Sequence, residues 1–499
     1  MTKDKGKEKT PSIEYESLTS TRLQELVDED IRNVASVLGL ESPIGSILLR
    51  YFRWNKDLLL ERFMDDPTTV LRNVGEPEHI TSESSGEPNG RPNKRARFDT
   101  PSDFVCAICC DDQPESIFKL RCAHAFCEPC WQIYITSKIK DEGQCLFNCM
   151  QDECKTIVDD PSVQKLVDTS AYDRFVRLLL VIITYSHEPF ASRYRELVTQ
   201  SYVSAHPEMR FCPHPSCNET VSCPSGKGSV LLTEVPTVRC GHGHVFCFGC
   251  GLDSNHRPLI CKLTTVWLKS AREDAGTAQW IKANTRSCPK CENSIEKAGG
   301  CNRILCRHCN FQFCWLCRKN WDIHGYNNEI CNTWKEPEPD EIKTEAKQNL
   351  EKWLFYFDRF NNHELSARLD QELCERTEEK MVNVQENSNL SWIEAKFVQN
   401  AVDELTACRL TLKWSYAMAY FLAAGNQKEM FEDIQADLEK AVEALSQLLE
   451  ESIEESTIKT LRQRMMDKTV YVQGRHEILL RDTAEGLAEG RWEWNVLLE

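Results

Sequence analysis

Apolar residues recur at helical spacing near both ends of the chain and lose that rhythm in between. From residue 14 to 75, Ile31, Val34 and Leu38, then Ile44, Ile47, Leu48 and Tyr51, then Leu58, Leu59 and Phe63 each mark one face, with Asn55 placed to cap the last. This spacing predicts three short helices in a small satellite domain. From residue 340 to 499 the period returns. Ser391 and Glu394 make a capping-box pair ahead of Ala395, Val398, Val402 and Leu405; Ile434, Leu438, Val442, Leu445 and Leu449 line a second helix, and Ile458, Leu461 and Met465 a third. That region predicts an all-α bundle. Residues 76–103 carry almost nothing apolar and much Pro, Gly, Ser and Glu, which predicts a disordered linker. The best apolar run, Leu178 to Ile183, is six residues long, against the ~18 to 20 that span a membrane. The start, MTKDKGKEKT, lacks the apolar core of a signal peptide. No membrane association is expected, and the chain should act in the cytoplasm.

Length and charge narrow this further. A chain of 499 residues is too long for one core and should divide into three or more domains. Sixty Lys and Arg against 77 Asp and Glu leave a net charge of −17, of which −14 lies between Lys335 and Glu499. Phosphate backbones need a local basic excess, so nucleic acid is not an expected partner. Lys94, Arg95 and Arg97 form the one basic cluster; it reads either as a nuclear import signal, adding the nucleus as a location, or as a solvated stretch of linker.

The cysteines locate the chemistry. Of 26, none precedes Cys106 and 24 fall between Cys106 and Cys331. In a reducing compartment, CxxC pairs with interspersed histidines read as zinc ligands rather than disulfides. They sort into three modules of eight. The first is Cys106, Cys109, Cys122, His124, Cys127, Cys130, Cys149 and Cys154, interleaved as a cross-braced pair of sites requires. The second is Cys212, Cys217, Cys240, His242, Cys247, Cys250, His256 and Cys261, with His244 as a competitor for the place of His242. The third is Cys288, Cys291, Cys306, Cys309, Cys314, Cys317, His324 and Cys331. Six Zn2+ ions are expected, two per module.

Cys301 does not fit the metal. It sits in Gly299-Gly300-Cys301-Asn302, between ligand pairs that are already complete. Two glycines permit a tight turn and close approach by a partner, which suits a presented thiol. A thiol of pKa ~8.5 becomes a useful nucleophile where positive charge lowers that value, and Arg303, Arg307 and the metal would supply such a field. The other reading is an ordinary loop cysteine.

Three successive modules with CAICC, VFCFGC, KAGGCNRILC and FCWLC closely resemble RING-between-RING ubiquitin ligases. The N-terminal helices, with NLEKWLFYFDRFNNHELS, NLSWIEAKFVQNAVDEL and IQADLEKAVEAL after the last module, resemble the Ariadne branch. The resemblance implies a multidomain fold. A UBA-like helical domain (14–75) would be followed by the linker, RING1 (104–156), a helical connector (157–205), an IBR module (206–263), a helical linker (264–285), a catalytic RING2 (286–333) and an autoinhibitory Ariadne bundle (340–499). It implies that RING1 recruits a ubiquitin-conjugating enzyme charged with ubiquitin, with Ile108 and Trp131 as contacts, although both could instead pack around the metal loops. Cys301 would then accept ubiquitin as a thioester and pass it to a substrate lysine. Leu369, Asp370 and Glu443 match the inhibitory contact positions, with Leu and Asp where the branch carries Phe and Glu. The N-terminal domain would engage cullin-RING ligases that carry a ubiquitin-like modifier, as the release signal. Lys155 stands where ordinary rings place an Arg, which is consistent with a relay. One departure stands out: the family carries His two residues after the acceptor cysteine, and here that position is Arg303, which cannot act as a base; His308 is a candidate substitute. The alternative reading is a non-catalytic zinc scaffold or inactive descendant that only recruits a conjugating enzyme through RING1.

Overall fold

In the computed structural model, residues 13–76, 97–99, 104–167, 190–224, 226, 234–273, 285–324, 330–335, 345–385, 396–451 and 458–497 are described. The N-terminal region holds a short strand, β1 (Glu16–Leu18), and four helices rather than three: α1 (Ser20–Leu38), α2 (Ser42–Tyr51), α3 (Lys56–Asp65) and α4 (Pro67–Asn73). The fourth was missed because Asp66 both ends α3 and caps α4, accepting from Thr69 N–H, with Pro67 at the first helical position. Asn55 caps α3 as expected, accepting from Leu58 N–H at 3.0 Å.

This region is not a satellite. The first metal module follows as β2 (Arg97–Asp99), β3 (Ile117–Lys119), β4 (Ala125–Cys127) and α5 (Glu128–Lys140), and then come α6 (Asp160–Val167) and α7 (Phe190–Ala205). One hydrophobic core runs from Val27, Ile44 and Leu49 through Phe118, Phe126, Trp131 and Ile135 to Leu197 and Tyr202. Arg50 pins the joint: its guanidinium donates to Asp160 (2.6 Å), Tyr194 (2.6 Å) and the Cys145 carbonyl (2.6 Å) while its side chain keeps 2% exposure. A buried arginine with three acceptors fixes the helical domain to the module far better than a linker could. Arg97–Asp99, expected within the disordered linker, instead pairs antiparallel with Ile117–Lys119 as an edge strand. Lys94 and Arg95 lie outside the described residues.

The second module contributes β5 (Met209–Phe211), β6 (Thr220–Ser222), β7 (Thr237–Arg239) and β8 (Val245–Cys247), leading into α8 (Cys261–Glu273). Its β6 also pairs with β1, Glu16 opposite Ser222, so the N-terminus straps across it. The third module is built from two hairpins, β9 (Thr285–Ser287) with β10 (Ser294–Glu296) and β11 (Arg303–Leu305) with β12 (Gln312–Cys314), followed by α9 (Trp321–His324). The bundle comprises α10 (Glu345–Gln385), α11 (Lys396–Phe421), α12 (Asn426–Glu450) and α13 (Ile458–Ala488). The capping-box pair Ser391 and Glu394 lies outside the described residues. An aromatic core of Trp267, Trp353, Phe357, Phe360 and Trp414 seats the bundle on α8. Among the described residues no helix is long and apolar enough to cross a membrane.

Candidate active site

The cysteine and histidine ligands come together before any function is assigned to them. In the first module Cys106, Cys109, Cys127 and Cys130 form one group and Cys122, His124, Cys149 and Cys154 the other, the interleaved arrangement the spacing predicts. Sulfur separations of 3.9 Å (Cys106 to Cys130) and 3.5 Å (Cys109 to Cys127) match the edge of roughly 3.8 Å that four Zn–S bonds of ~2.3 Å set in a tetrahedron. In the second module the groups follow one another along the chain: Cys212, Cys217, Cys240 and His244, then Cys247, Cys250, His256 and Cys261. The fourth member of the first group is therefore His244, a correction of His242. His244 Nδ1 lies 3.7 Å from Cys212 Sγ and 3.5 Å from Cys240 Sγ. The His242 side chain keeps 63% exposure and turns to Glu219, 3.4 Å away, although it passes 3.6 Å from Cys217. Spacing could not separate two histidines on one turn.

The third module also pairs sequentially, with Cys288, Cys291, Cys306 and Cys309 in one group. Cys314, Cys317 and Cys331 gather in a separate small core beside Trp321. The side chain of His324, on α9, lies outside the described residues. Thiolate-rich groups of four at these separations fit a tetrahedral, N/S-liganded ion such as zinc.

Of the two expected contacts for a conjugating enzyme, Ile108 is 55% exposed on the first metal loop. Trp131 is a correction. It is fully buried, edge-on to Phe118 and Phe126, and its indole N–H donates to the Phe118 carbonyl at 3.1 Å. It packs and cannot meet a partner. The helix presents Ile133 instead, at 64% exposure; burial at Trp131, Ile135 and Ile139 repeats every four residues and could have signalled which face points inward.

Cys301 lies at the open end of the β11–β12 hairpin and is 1% exposed. What covers it is the bundle. Asp370 on α10 and Glu450 at the end of α12 press on the two glycines: a Cβ on Gly300 would stand 2.0 Å from Asp370 Oδ1, and one on Gly299 would stand 2.1 Å from Glu450 Oε1. The close approach that two glycines allow is thus used here by the chain's own helices. Arg409 on α11 ties the layers together, donating to Glu443 Oε1 (2.6 Å) and the Gly300 carbonyl (3.0 Å), with Asp370 Oδ2 at 3.4 Å. Glu443 accepts from Asn302 N–H (2.7 Å) and Asn302 Nδ2 (3.1 Å), and Glu450 accepts from Cys301 N–H (3.4 Å). From within the module, Lys297 Nζ donates to the Gly300 carbonyl, to Asn302 Oδ1, to Asn362 Oδ1 on α10 and to Ser366 Oγ at 2.8 Å. Ser446 Oγ completes the shell on Asp370 Oδ1 at 2.9 Å. Leu369, the third expected contact, is buried beside Asp370.

Burial dominates the electrostatics. Desolvation lowers Lys297 to about 8 and raises the Asp370 carboxyl against the pull of Arg409. Glu450 is pushed up to about 7, first by burial, although the residue as a whole keeps solvent contact at the helix end, so water screens part of that shift. Lys297, Arg409, Asn362, Ser366, Ser446 and Glu450 were not singled out by sequence. Two signals were present: Asn362, Ser366 and Asp370 recur every fourth residue, and Glu443, Ser446 and Glu450 fall at i, i+3 and i+7, polar stripes on helices with an otherwise apolar face.

Arg303 cannot be a base, and its guanidinium is held by Gln312 Oε1 at 2.7 and 3.0 Å. Its backbone N–H points at Cys301 Sγ, 3.3 Å away. His308, considered as a substitute, is exposed on the turn of the β11–β12 hairpin, at the end opposite Cys301. A strand rise of about 3.3 Å per residue keeps it far from the sulfur.

Several regions match known proteins. A family described as the UBA-like domain of E3 ubiquitin-protein ligase ARIH1 matches residues 25–65, the IBR domain, a half RING-finger domain, matches 192–261, an IBR domain matches 283–327, and the Ariadne domain matches 351–473. The IBR match to 283–327 agrees with the sequential ligand pairing of the third module. The E3 ubiquitin-protein ligase dbl4 of Schizosaccharomyces pombe is 40% identical over 99% of this chain and 92% of its own. The E3 ubiquitin-protein ligase ARIH1 of Homo sapiens is 35% identical over 96% of this chain and 82% of its own. The E3 ubiquitin-protein ligase ariadne-1 of Drosophila melanogaster is 34% identical over 96% and 90%.

Proposed function

Because the chain belongs to the Ariadne family of RING-between-RING E3 ubiquitin ligases, we propose that it transfers ubiquitin through a thioester on Cys301 and is held inactive by its own bundle. The first module recruits a ubiquitin-conjugating enzyme charged with ubiquitin, using exposed apolar residues that include Ile108 and Ile133. Cys301 takes the ubiquitin and hands it to a substrate amine. Six zinc ions, two per module, hold the loops that present these residues.

The observation that carries the reading is the closure of Cys301: a thiol outside the metal groups named above, 1% exposed, capped by carboxylates from α10 and α12 that share one buried arginine. A purely structural cysteine does not need a charged lid, since burying charge is costly unless it is paired. Release requires the helices to move off the module. A ubiquitin-like modifier on a cullin-RING ligase, bound by the N-terminal helices, is the release partner we favour, because those helices share one core with the first module and β1 pairs with the second.

The test is a charged-enzyme assay. Full-length protein with ubiquitin-loaded conjugating enzyme should give a reductant-sensitive ubiquitin adduct, weak in the wild type, strong in Asp370→Ala, and absent in Cys301→Ala. Transfer that persists in Cys301→Ala would show direct RING chemistry without a relay.

A further inference from the structure

We infer that Asn302, through its backbone N–H and side-chain amide together with the Cys301 N–H, forms the oxyanion hole for ubiquitin transfer, and that Glu443 and Glu450 fill it with carboxylate oxygens while the enzyme is closed. The inference rests on Cys301 being the ubiquitin acceptor.

Thioester transfer needs such a hole. The Cys301 thiolate attacks the carbonyl carbon of the ubiquitin thioester on the conjugating enzyme. A C–S bond forms, the carbonyl π pair moves onto oxygen, and an oxyanion results. When that pair returns, the bond to the conjugating enzyme's sulfur breaks and that sulfur leaves as a thiolate. In the second transfer the substrate amine attacks the same carbon; the oxyanion forms again and collapses with loss of the Cys301 thiolate, and the ammonium proton passes to water. Both steps place negative charge on one oxygen beside Cys301, and preorganised N–H donors beside the nucleophile stabilise it. The N–H groups of a nucleophile and of the residue after it are recurrent members of such holes.

The donors are in place and already meet carboxyl oxygens. Asn302 N–H and Nδ2 converge on the Glu443 carboxylate at 2.7 and 3.1 Å, and Cys301 N–H reaches Glu450 Oε1 at 3.4 Å. The next N–H, of Arg303, points at Sγ itself, 3.3 Å away. Three successive backbone donors therefore face the nucleophile and the anions packed beside it. The side-chain orientation is fixed from within the module: Lys297 Nζ can only donate and lies 3.3 Å from Asn302 Oδ1, so the amide nitrogen turns toward Glu443. Lys297 is on the same module, so this orientation survives when the bundle leaves. The carboxyl oxygens stand where the oxyanion forms, and Glu443, paired with Arg409, blocks the site by imitating the charge it stabilises. This also relieves the problem of Arg303: a hole and a thiolate donor lower the barrier without a base at that position.

The experiment uses the full chain carrying Glu443→Ala, which frees both donors of Asn302, as parent. Asn302→Ala and Asn302→Asp are added to it. Single-turnover loading from ubiquitin-charged conjugating enzyme and discharge to free lysine are measured beside Cys301 alkylation by iodoacetamide, taken at pH above the thiol pKa. Alkylation is a displacement at saturated carbon and forms no oxyanion. Loss of one oxyanion donor costs about 10²- to 10³-fold in other acyl-transfer sites, so Asn302→Ala should slow both transfers about 100-fold and leave alkylation within two-fold. Asn302→Asp keeps the acceptor facing Lys297 while replacing a donor with a negative charge, and should slow transfer more. If transfer stays within about three-fold of the parent, or if alkylation falls as far as transfer does, the assignment is wrong. A parent that forms no Cys301 adduct at all overturns the relay as well; an adduct in the parent with unaffected Asn302 variants overturns the oxyanion hole alone.

Discussion

The first and third modules both gather cysteines into metal-type groups, and their surroundings diverge. In the first, the groups interlock, and Phe118, Phe126 and Trp131 join a core that continues into the N-terminal helices. In the third, the first group is formed by ligands consecutive along the chain, and the hydrophobic clusters are small: Cys288, Ile304, Cys306, Phe313 and Trp315 in one, Cys314, Leu316 and Trp321 in another. The first can leave Ile108 exposed because its stability does not depend on that side chain. In the third, Cys301 is covered by side chains of the bundle. On the proposed function, a module with a large shared core can hold a docking surface open, and one with a minimal core leaves closure to an outside lid.

Metal removal should separate the two most strongly. Structural zinc contributes about 10 to 16 kcal/mol per site in small peptides, so chelation should melt the third module outright and free Cys301 for alkylation. The bundle core, Val402, Leu405, Leu438, Val442 and Leu445 among others, contains no metal ligand, and its helical circular dichroism should remain. Loss of the bundle signal together with the modules would contradict the ligand assignments.

Next in size is the buried arginine. Arg409→Met leaves Asp370 and Glu443 buried without their cation, a defect that costs about 3 to 5 kcal/mol in comparable pairs. The bundle can escape that cost by leaving the module, so adduct formation from charged conjugating enzyme should rise by two orders of magnitude or more in a folded protein, about the factor that energy allows. An unchanged rate would mean that the lid is held by other contacts.

On the first module, Trp131→Ala should destabilise by about 3 to 5 kcal/mol, as large-to-small core changes do, whereas exposed Ile108→Ala should change stability by less than about 0.5 kcal/mol and still slow ubiquitin loading. Thermal unfolding beside loading rates distinguishes the two; a stable Trp131→Ala with slow loading would restore Trp131 to the docking surface.

The smallest effect is pH dependence. Glu450 has its carboxyl pushed up to about 7 when closed, chiefly by burial, with the Cys301 N–H and Lys297 lowering it and Asp370 and Glu443 raising it further. Released, it returns to the ordinary carboxylate range near 4.3. The closed form thus binds the extra proton: closure is favoured at acid pH and loses that support as pH rises through about 7. Asp370, also raised, acts in the same direction, while Lys297, lowered to about 8, favours closure only above that pH. Opening should therefore increase modestly between pH 5 and 7.5, roughly the window between these pKa values. Glu450→Gln, a fixed mimic of the protonated acid, should flatten the wild-type slope and lower basal loading at neutral pH. A slope that survives Glu450→Gln would assign it to Asp370 or to the thiol.

The metal groups and Cys301 were legible because their signals are short and local: CxxC pairs bring two sulfurs to one ion, and of the six cysteines left over Cys301 alone follows two glycines. Lid residues were legible only in part. Asp370 and Glu443 followed from the family resemblance, but Arg409 is 109 residues from the Gly300 carbonyl it holds, and nothing local marks such a contact except the polar stripes on α10 and α12. His244 and Trp131 show the opposite limit. Each role there depends on which way a side chain points, and that is decided by tertiary packing, by the ring stacking of His214 on His244 at 3.8 Å and by the Phe118–Trp131 contact. The strand Arg97–Asp99 is three residues long, too short to leave a period.

The most direct test of closure is the rate at which iodoacetamide labels Cys301 in the zinc-loaded full chain, read by peptide mass spectrometry, with Asp370→Ala, Glu443→Ala as comparison. Slow labelling of Cys301 in the wild type and labelling at least about ten-fold faster in the double variant, as loss of more than ~1.4 kcal/mol of closure energy gives, is the predicted result. Equal rates in the two proteins would mean that the bundle does not guard the thiol.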